Sequence, residues 1–208
     1  MAIGQRYSGI LEAARDTFAR RGFHQASIRE IAHAAHLSLA GLYHYVEGKE
    51  ELFFLVLDHA LGTLIAALDE ALARARTPET KLLALVQTHL DFGFRHAAEL
   101  KVINRDYEGL PEPHRSEIVA RRGEYLQRGI AILRELDPHE RSSDELLSAT
   151  ILLLGMLNGI ATRPFLRSRE DACTLAGEVG ALFLYGFLER STVRNGVGTP
   201  TFGGEDES

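Results

Sequence analysis

A single cysteine, Cys173, is the only thiol in the 208-residue chain, which excludes an intramolecular disulfide and any cysteine-rich metal site. Its neighbours Ala172, Thr174, Leu175 and Ala176 suggest a buried or half-buried small hydrophobe, since no cation stands beside it to activate a thiolate. The sequence also lacks a glycine-rich phosphate loop, a nucleophile elbow and a Cys-x-x-Cys pair, so the common signatures of a helical enzyme are missing. No apolar run reaches the roughly 20 residues that span a bilayer. The longest, Ala149 to Ala161, is interrupted by Asn158 and reads as a buried helix or a subunit interface. No charged-then-apolar secretory segment opens the chain, so a cytoplasmic protein with no membrane partner is expected. Strand-type alternation is almost absent.

Excess positive charge is missing too. The net charge of −6 argues at first against a nucleic-acid partner. Its distribution softens that objection: residues 1–50 carry six Lys/Arg against five acids, and the remainder carries 17 against 24. His24, His33, His36 and His44 also fall in the first fifty residues. Such asymmetry is a weak pointer to a nucleic-acid-facing amino-terminal end.

What is present is helical periodicity throughout. Tyr7, Ile10, Leu11, Ala14 and Phe18 recur at steps of three or four, predicting a helix from about Arg6 to Arg21 with Gly22 as its C′ glycine. Ser27-Ile28-Arg29-Glu30 has the form of a capping box and opens a short helix with Ile28, Ile31, Ala32 and Ala35 on one face. Ser38 can cap a third short helix through Tyr45. Gly48-Lys49-Glu50-Glu51 then starts a long helix to about Arg74. Thr77-Pro78-Glu79 is a further start, with proline at the first helical position. Pro111 and Pro113 mark a break, Asp137-Pro138 ends the next helix, and Ser143-Asp144 caps the one after. Pro164 closes or kinks that helix, and a last one is predicted over about Ser168 to Glu189. The tail from Ser191 is rich in Gly, Thr and acids, so disorder is expected there.

The block Ile28 to Tyr45 is a pair of short helices about a tight turn at Ala35–Leu37. Ala32 is small where the helices meet, and Leu37 and Leu42 can plug the angle between them. This is the helix-turn-helix pattern, whose second helix enters the major groove of DNA. The continuation, Leu42-Tyr43-His44-Tyr45-Val46-Glu47-Gly48-Lys49-Glu50-Glu51-Leu52, resembles the signature of TetR-family repressors. There an aromatic-rich recognition helix runs into a Lys-Glu-x-Leu start of the next helix. Ile10, Ala13-Ala14 and Phe18 ahead of Gly22-Phe23 are similar to that family as well, so the likeness covers about residues 6–60. Two positions depart from it: His36 stands where the turn usually has glycine, and Val46 where an aromatic is usual.

The resemblance implies an all-α fold. Residues 1–47 would form a three-helix helix-turn-helix DNA-binding domain. Residues 48–190 would form a helical ligand-binding and dimerisation domain, with a disordered tail over 191–208. It implies a homodimer through the last two helices that binds a double-stranded, near-palindromic operator and is released by a small-molecule effector. The apolar character of Ile151–Ile160 and Leu175–Leu188, with Gly155, Gly159, Gly177, Gly180 and Gly186 permitting close approach, agrees with such an interface. A pure interaction module would use the same surface, and a gel shift distinguishes it and a helical enzyme from a repressor.

Site residues follow from chemistry and resemblance together. Ser27 and Ser38 sit at helix starts, where hydroxyls and free amides suit phosphate oxygens. Tyr43 and Lys49 resemble the family's phosphate-binding tyrosine and lysine. His44 is the candidate for a base-edge or phosphate contact. Leu39, Ala40 and Gly41 face the groove without strong hydrogen-bonding groups and suit thymine methyls. Tyr45 reads as core. No cofactor, catalytic residue or metal is expected. His33 and His36 lie inside the reading motif. His89 and His96, seven apart on one helical face, suit interior hydrogen bonding better than a metal.

Ligand-side candidates are the polar and aromatic residues on apolar stretches: His89, Phe92, Tyr107, Tyr125, Arg128 and Asn158. The stretches Asn104-Arg105-Asp106 and Arg121-Arg122-Gly123-Glu124-Tyr125 resemble repressors of fatty-acid, sterol or aromatic-acid breakdown that answer to acyl-coenzyme A thioesters. A regulator of efflux or secondary metabolism answering to a drug or aromatic compound is the alternative.

Overall fold

The computed structural model describes residues 3–104, 107–161 and 169–189, and the regular structure among them is entirely helical. Pro164 and the tail from Ser191 lie outside the described residues. Three helices form an amino-terminal head: α1 (Ile3–Arg21), α2 (Ile28–Ala34) and α3 (Leu39–Tyr43). Gly22 ends α1 with φ 77°, a left-handed position that glycine fills without strain. His36 makes the α2–α3 turn at φ 55°, so a histidine occupies left-handed backbone where glycine would be easiest.

The capping box expected at Ser27 forms only in half. The Ser27 hydroxyl accepts the Arg29 amide at 3.2 Å, but Glu30 does not reach back. Arg20 and Arg21, in the last turn of α1, take its carboxylate at 3.1 and 3.5 Å and so pin α2 to α1. Ser38 caps α3 by accepting the Gly41 amide at 3.0 Å, and α3 ends at Tyr43, two residues short of the expected end. Beneath the three helices lies a shared core of Ile10, Ala14, Phe18, Ile31, Leu42 and Phe53. Val46 is buried in it, so the aliphatic side chain holds a position that can carry an aromatic.

The body follows as α4 (Lys49–Arg74), α5 (Pro78–Arg95), α6 (Ala97–Ile103), a 3-10 turn at Tyr107–Gly109, α7 (His114–Leu136), α8 (Ser143–Ala161) and α9 (Arg169–Leu188). Thr77 and Thr80 form a reciprocal capping box ahead of Pro78. A second box caps α8, built on Ser142 and Glu145 rather than Ser143 and Asp144: Ser142 accepts the Glu145 amide at 3.3 Å and Glu145 takes the Ser142 amide at 3.0 Å. Helix α6 was not anticipated, because no proline stands at the break and the nearest glycine, Gly93, lies inside α5; the His96 backbone leaves the helical region at φ −124° and ψ 46°.

Helix α4 is the hub, packed against α1, α5, α6 and α7. By length and composition α4 and α8 could each cross a membrane. In this fold α4 is instead walled in by the four helices around it. Helix α8 lies against α5 and α7 so closely that glycine is required twice. A Cβ on Gly93 would stand 2.5 Å from the Ala161 Cβ, and one on Gly129 2.6 Å from the Thr150 Cγ2. The glycines noted in the apolar carboxy-terminal pair play no such part within this chain. Gly155, Gly159, Gly177 and Gly186 are exposed with nothing within 4 Å of a Cβ. Beside them Leu152, Leu182 and Tyr185 are 71%, 70% and 75% exposed. Cys173 is exposed as well, at a groove that it lines with Thr88, Asp91 and Phe92 of α5, contrary to the burial its apolar neighbours suggested.

Candidate functional site

Two regions of the molecule concentrate functional chemistry. The first is the outer face of α2, the turn and α3. Tyr43 is 48% exposed and His44, Ser27, Ser38 and Ala40 are exposed, while Leu39 and Gly41 are half-buried. Tyr45 is half-buried against the core. Both serine hydroxyls already serve as caps, so each presents its remaining hydrogen-bonding capacity outward. Lys49 is half-buried: its Nζ donates to the Phe23 carbonyl at 3.1 Å and lies 4.5 Å over the Phe23 ring. It therefore fastens the α1–α2 loop to the start of α4, with two of its three N–H groups left for another partner.

The second region is a cavity of about 460 Å³, open on one side and lined by α4, α5, α6, α7 and α8, within the roughly 300–1,000 Å³ range of small-molecule sites. Its walls are apolar, from Leu61 and Leu64 of α4 to Leu126 of α7 and Leu154 of α8. One polar chain crosses it. His89 Nδ1 is 3.0 Å from the Tyr125 hydroxyl, His89 Nε2 is 3.1 Å from Asn158 Oδ1, and Asn104 Nδ2 donates to the same oxygen at 2.8 Å. The directions follow from the atoms. Asn158 Oδ1 only accepts, so Nε2 carries the His89 proton, Nδ1 accepts, and Tyr125 donates to it. Burial lowers the His89 pKa to about 4, opposed in part by the Asn158 bond, so the ring is neutral near pH 7. Burial also pushes the Tyr125 hydroxyl above its ordinary range, keeping it protonated.

Of the six ligand-side candidates, the structure brings His89, Tyr125 and Asn158 together in this chain. Tyr107 sits at the edge, beneath the Arg122 guanidinium at 4.6 Å. Phe92 faces another groove and stacks on His96 at 4.8 Å, so His96, just past the end of α5, lines that groove and not the cavity that His89 faces. Arg128 points away to a bidentate pair with Asp69 of α4, at 2.6 and 2.7 Å. Sequence reasoning did not single out Arg122 and Asn104 as lining the cavity. Arg122 donates to the Ile103 carbonyl at its rim. A larger cleft between α1, α4 and α6 is more polar and is occupied by ion pairs such as Arg15–Glu99 at 2.9 Å, so it lacks the apolar body of a ligand site.

The two regions are physically connected. Helix α4 runs from the head into the cavity wall. A second link is non-covalent: a Cβ on Gly109 would lie 3.2 Å from His24 Cε1 and 3.3 Å from Phe23 Cδ1, so the 3-10 turn rests on the loop that Lys49 holds.

A helix-turn-helix head joined by one long helix to a cavity-bearing helical body is the architecture of a ligand-responsive DNA-binding regulator. Residues 10–56 match the family model of bacterial regulatory proteins of the tetR family, and residues 75–162 that of a tetracyclin repressor-like C-terminal domain. The chain belongs to the TetR family of transcriptional regulators. It is 33% identical over 88 residues to the HTH-type transcriptional activator FasR of Mycolicibacterium smegmatis, a stretch of 42% of this chain and 40% of FasR. The chain thus spans well under two thirds of the curated relatives it matches. A TetR-family regulator from Bordetella parapertussis superposes with a TM-score of 0.79 at 27% identity, covering 86% of this chain and 93% of that one. AibR, solved with isovaleryl coenzyme A and operator DNA, does so at 0.75 and 24% identity over 86% and 98%, a likeness of fold. The curated relatives are named as transcriptional regulators.

Proposed function

We propose that the chain acts as a homodimer that binds a near-palindromic operator and lets go of it when a mostly apolar effector, an acyl-CoA thioester, occupies the α4–α8 cavity. The observation that carries this reading is the cavity itself: apolar walls, one neutral hydrogen-bonded chain, and Arg122 at the rim to meet phosphates. The isovaleryl coenzyme A bound by the similarly folded AibR supports the same ligand class.

In the head, Tyr43 and Lys49 hold backbone phosphates together with the capped starts of α2 and α3 at Ser27 and Ser38. His44 contacts a base edge, and Leu39, Ala40 and Gly41 lie against the groove floor. The apolar face of α8 and α9, with Leu152, Leu182 and Tyr185 outward, joins the two copies, and a stable interface would bury roughly 2,000 Å². The recognition helices then stand roughly 34–36 Å apart on DNA. Residues 1–47 act as the reading head and 48–190 as the sensing and pairing body, working on chromosomal DNA in the cytoplasm. Repression follows wherever the operator overlaps a promoter. FasR is named an activator, so the sign of control depends on where the operator lies.

Ligand entry tilts α4, shifts the turn at Tyr107–Gly109 against Phe23 and His24, and separates the heads from successive major grooves. The test is fluorescence anisotropy of the DNA upstream of the chain's own gene, first with protein and then with a series of acyl-CoAs and free acids. Binding followed by release with thioesters is expected. Absence of specific binding contradicts the regulatory reading, and binding that no thioester reverses contradicts the effector class.

A further inference from the structure

We propose that the cavity accepts only the uncharged form of its ligand's carbonyl end, an ester, thioester or protonated acid, and excludes the carboxylate. The inference rests on the cavity being the effector site and adds a selection rule to it. Helix α4 contributes only Leu61 and Leu64 to the lining, and neither α6 nor α8 contributes a charged or titratable group. Among the described residues, the titratable groups that face the cavity are His89 from α5 and Tyr125 and Arg122 from α7.

The first two are locked against each other. His89 gives its one proton to Asn158 and receives one from Tyr125, so both ring nitrogens are used. A second proton on the ring would force Tyr125 to accept instead and turn its own hydrogen toward apolar walls. In this arrangement neither ring nitrogen is left to donate to an entering anion. Among the described residues Arg122 is the one cation in the lining, and its position is at the rim. It is held there by the Ile103 carbonyl and by the Tyr107 ring 4.6 Å away. A carboxylate carried past it would lose its water and meet no compensating charge among the described lining residues, whereas a carbonyl oxygen needs only a single donor. Asn104, exposed beside Arg122, has a second amide hydrogen beyond the one given to Asn158. Negative charge elsewhere on the ligand is accommodated outside the rim.

The rule has a measurable signature. If only the protonated acid enters, the apparent affinity of a fatty acid falls about tenfold per pH unit above its own pKa, near that of a glutamate side chain. An ester of the same chain shows no such fall. His89 stays neutral throughout, since burial holds its pKa at about 4. The experiment is isothermal titration of the full chain, without DNA, with octanoic acid and with methyl octanoate at pH 5.5, 6.5 and 7.5. The Kd of the acid should weaken about 100-fold across that range while that of the ester moves less than about twofold. The ester also corrects for any effect of pH on the protein itself. Two variants extend the test. Arg122→Gln should leave the acid's slope unchanged, because Arg122 does not meet the carboxyl. Leu154→Arg, at a half-buried wall position, should flatten it by supplying a cation inside. A flat acid curve in the wild type that becomes steep in Arg122→Gln would overturn the proposal, with Arg122 reading the anion. Failure of both probes to bind at every pH would sink the effector-site reading itself, and the proposal with it.

Discussion

Acidification should weaken the fold through His89 in a window that the structure sets. An unfolded chain holds this imidazole at about 6.5, while burial lowers it to about 4 in the folded state. The depressed value means that between those two points the unfolded state binds a proton that the folded state does not. Stability attributable to the neutral ring is full above about pH 7 and is lost as pH falls toward 4. Between pH 7 and pH 5 the loss is about 2 kcal/mol, approaching about 3 kcal/mol below the folded pKa. That is a large share of the roughly 5–15 kcal/mol stabilising a typical domain. Carboxylates also titrate in this range, so the assay compares two proteins. Wild type and His89→Gln are unfolded in urea at pH 7, 6 and 5, followed by far-ultraviolet circular dichroism at one protomer concentration. The glutamine can still hydrogen-bond to Tyr125 and Asn158 but cannot titrate. The stability gap between the two proteins should narrow by about 2 kcal/mol from pH 7 to pH 5. Parallel curves, with the gap unchanged, would refute the reasoning by showing that His89 is not held neutral by burial.

Three other outcomes are expected. Gly93→Ala should cost about 1–3 kcal/mol in thermal or urea unfolding, because its Cβ would meet the Ala161 Cβ at 2.5 Å, while Gly62→Ala, with nothing within 4 Å, should be neutral or stabilising. Leu152→Glu places a charge on the exposed apolar face of α8 and should shift sedimentation at micromolar concentration from dimer to monomer, with operator binding lost; a wild type that is already monomeric would contradict the interface. Lys49→Ala should weaken binding to all DNA sequences alike and lower the salt slope by about 1. It should also lower the melting temperature, because Nζ holds the Phe23 carbonyl; a changed sequence preference with overall affinity intact would contradict the assigned role.

Much of the fold was legible because local chemistry and helical period agree. Gly22 ends α1 and Thr77-Pro78 opens α5, as their residue types require. Tertiary contacts overrode local chemistry elsewhere. Glu30 has the spacing of a capping residue, but two arginines from α1 outcompete the backbone amide for it. The α5–α6 break at His96 is preceded only by Gly93, which packing against Ala161 requires, so one helix was read where the chain forms two.

The cavity was legible only in part for a geometric reason. His89 and Phe92, like Tyr125 and Arg128, are three residues apart, which rotates them by roughly 60° around the helix. That is enough to put His89 and Tyr125 into one chain while Phe92 faces another groove and Arg128 reaches Asp69. Arg122 and Asn104 fall in the segment whose resemblance pointed to acyl-CoA-responsive repressors, but periodicity alone does not place either side chain at a cavity. Their place at the rim depends on how α6 and the turn after it fold back on α7.

The central claim, that one molecule couples an effector cavity to operator binding, is tested most directly by reciprocity. The affinity of octanoyl-CoA is measured for the free protein and for its operator complex, and the affinity of the operator with and without saturating octanoyl-CoA. Coupling between two sites on one equilibrium must be the same seen from either side. The account predicts that operator weakens thioester binding and thioester weakens operator binding by one shared factor, about 100-fold for a coupling of roughly 2.7 kcal/mol. Operator affinity that is unchanged at saturating thioester would contradict it.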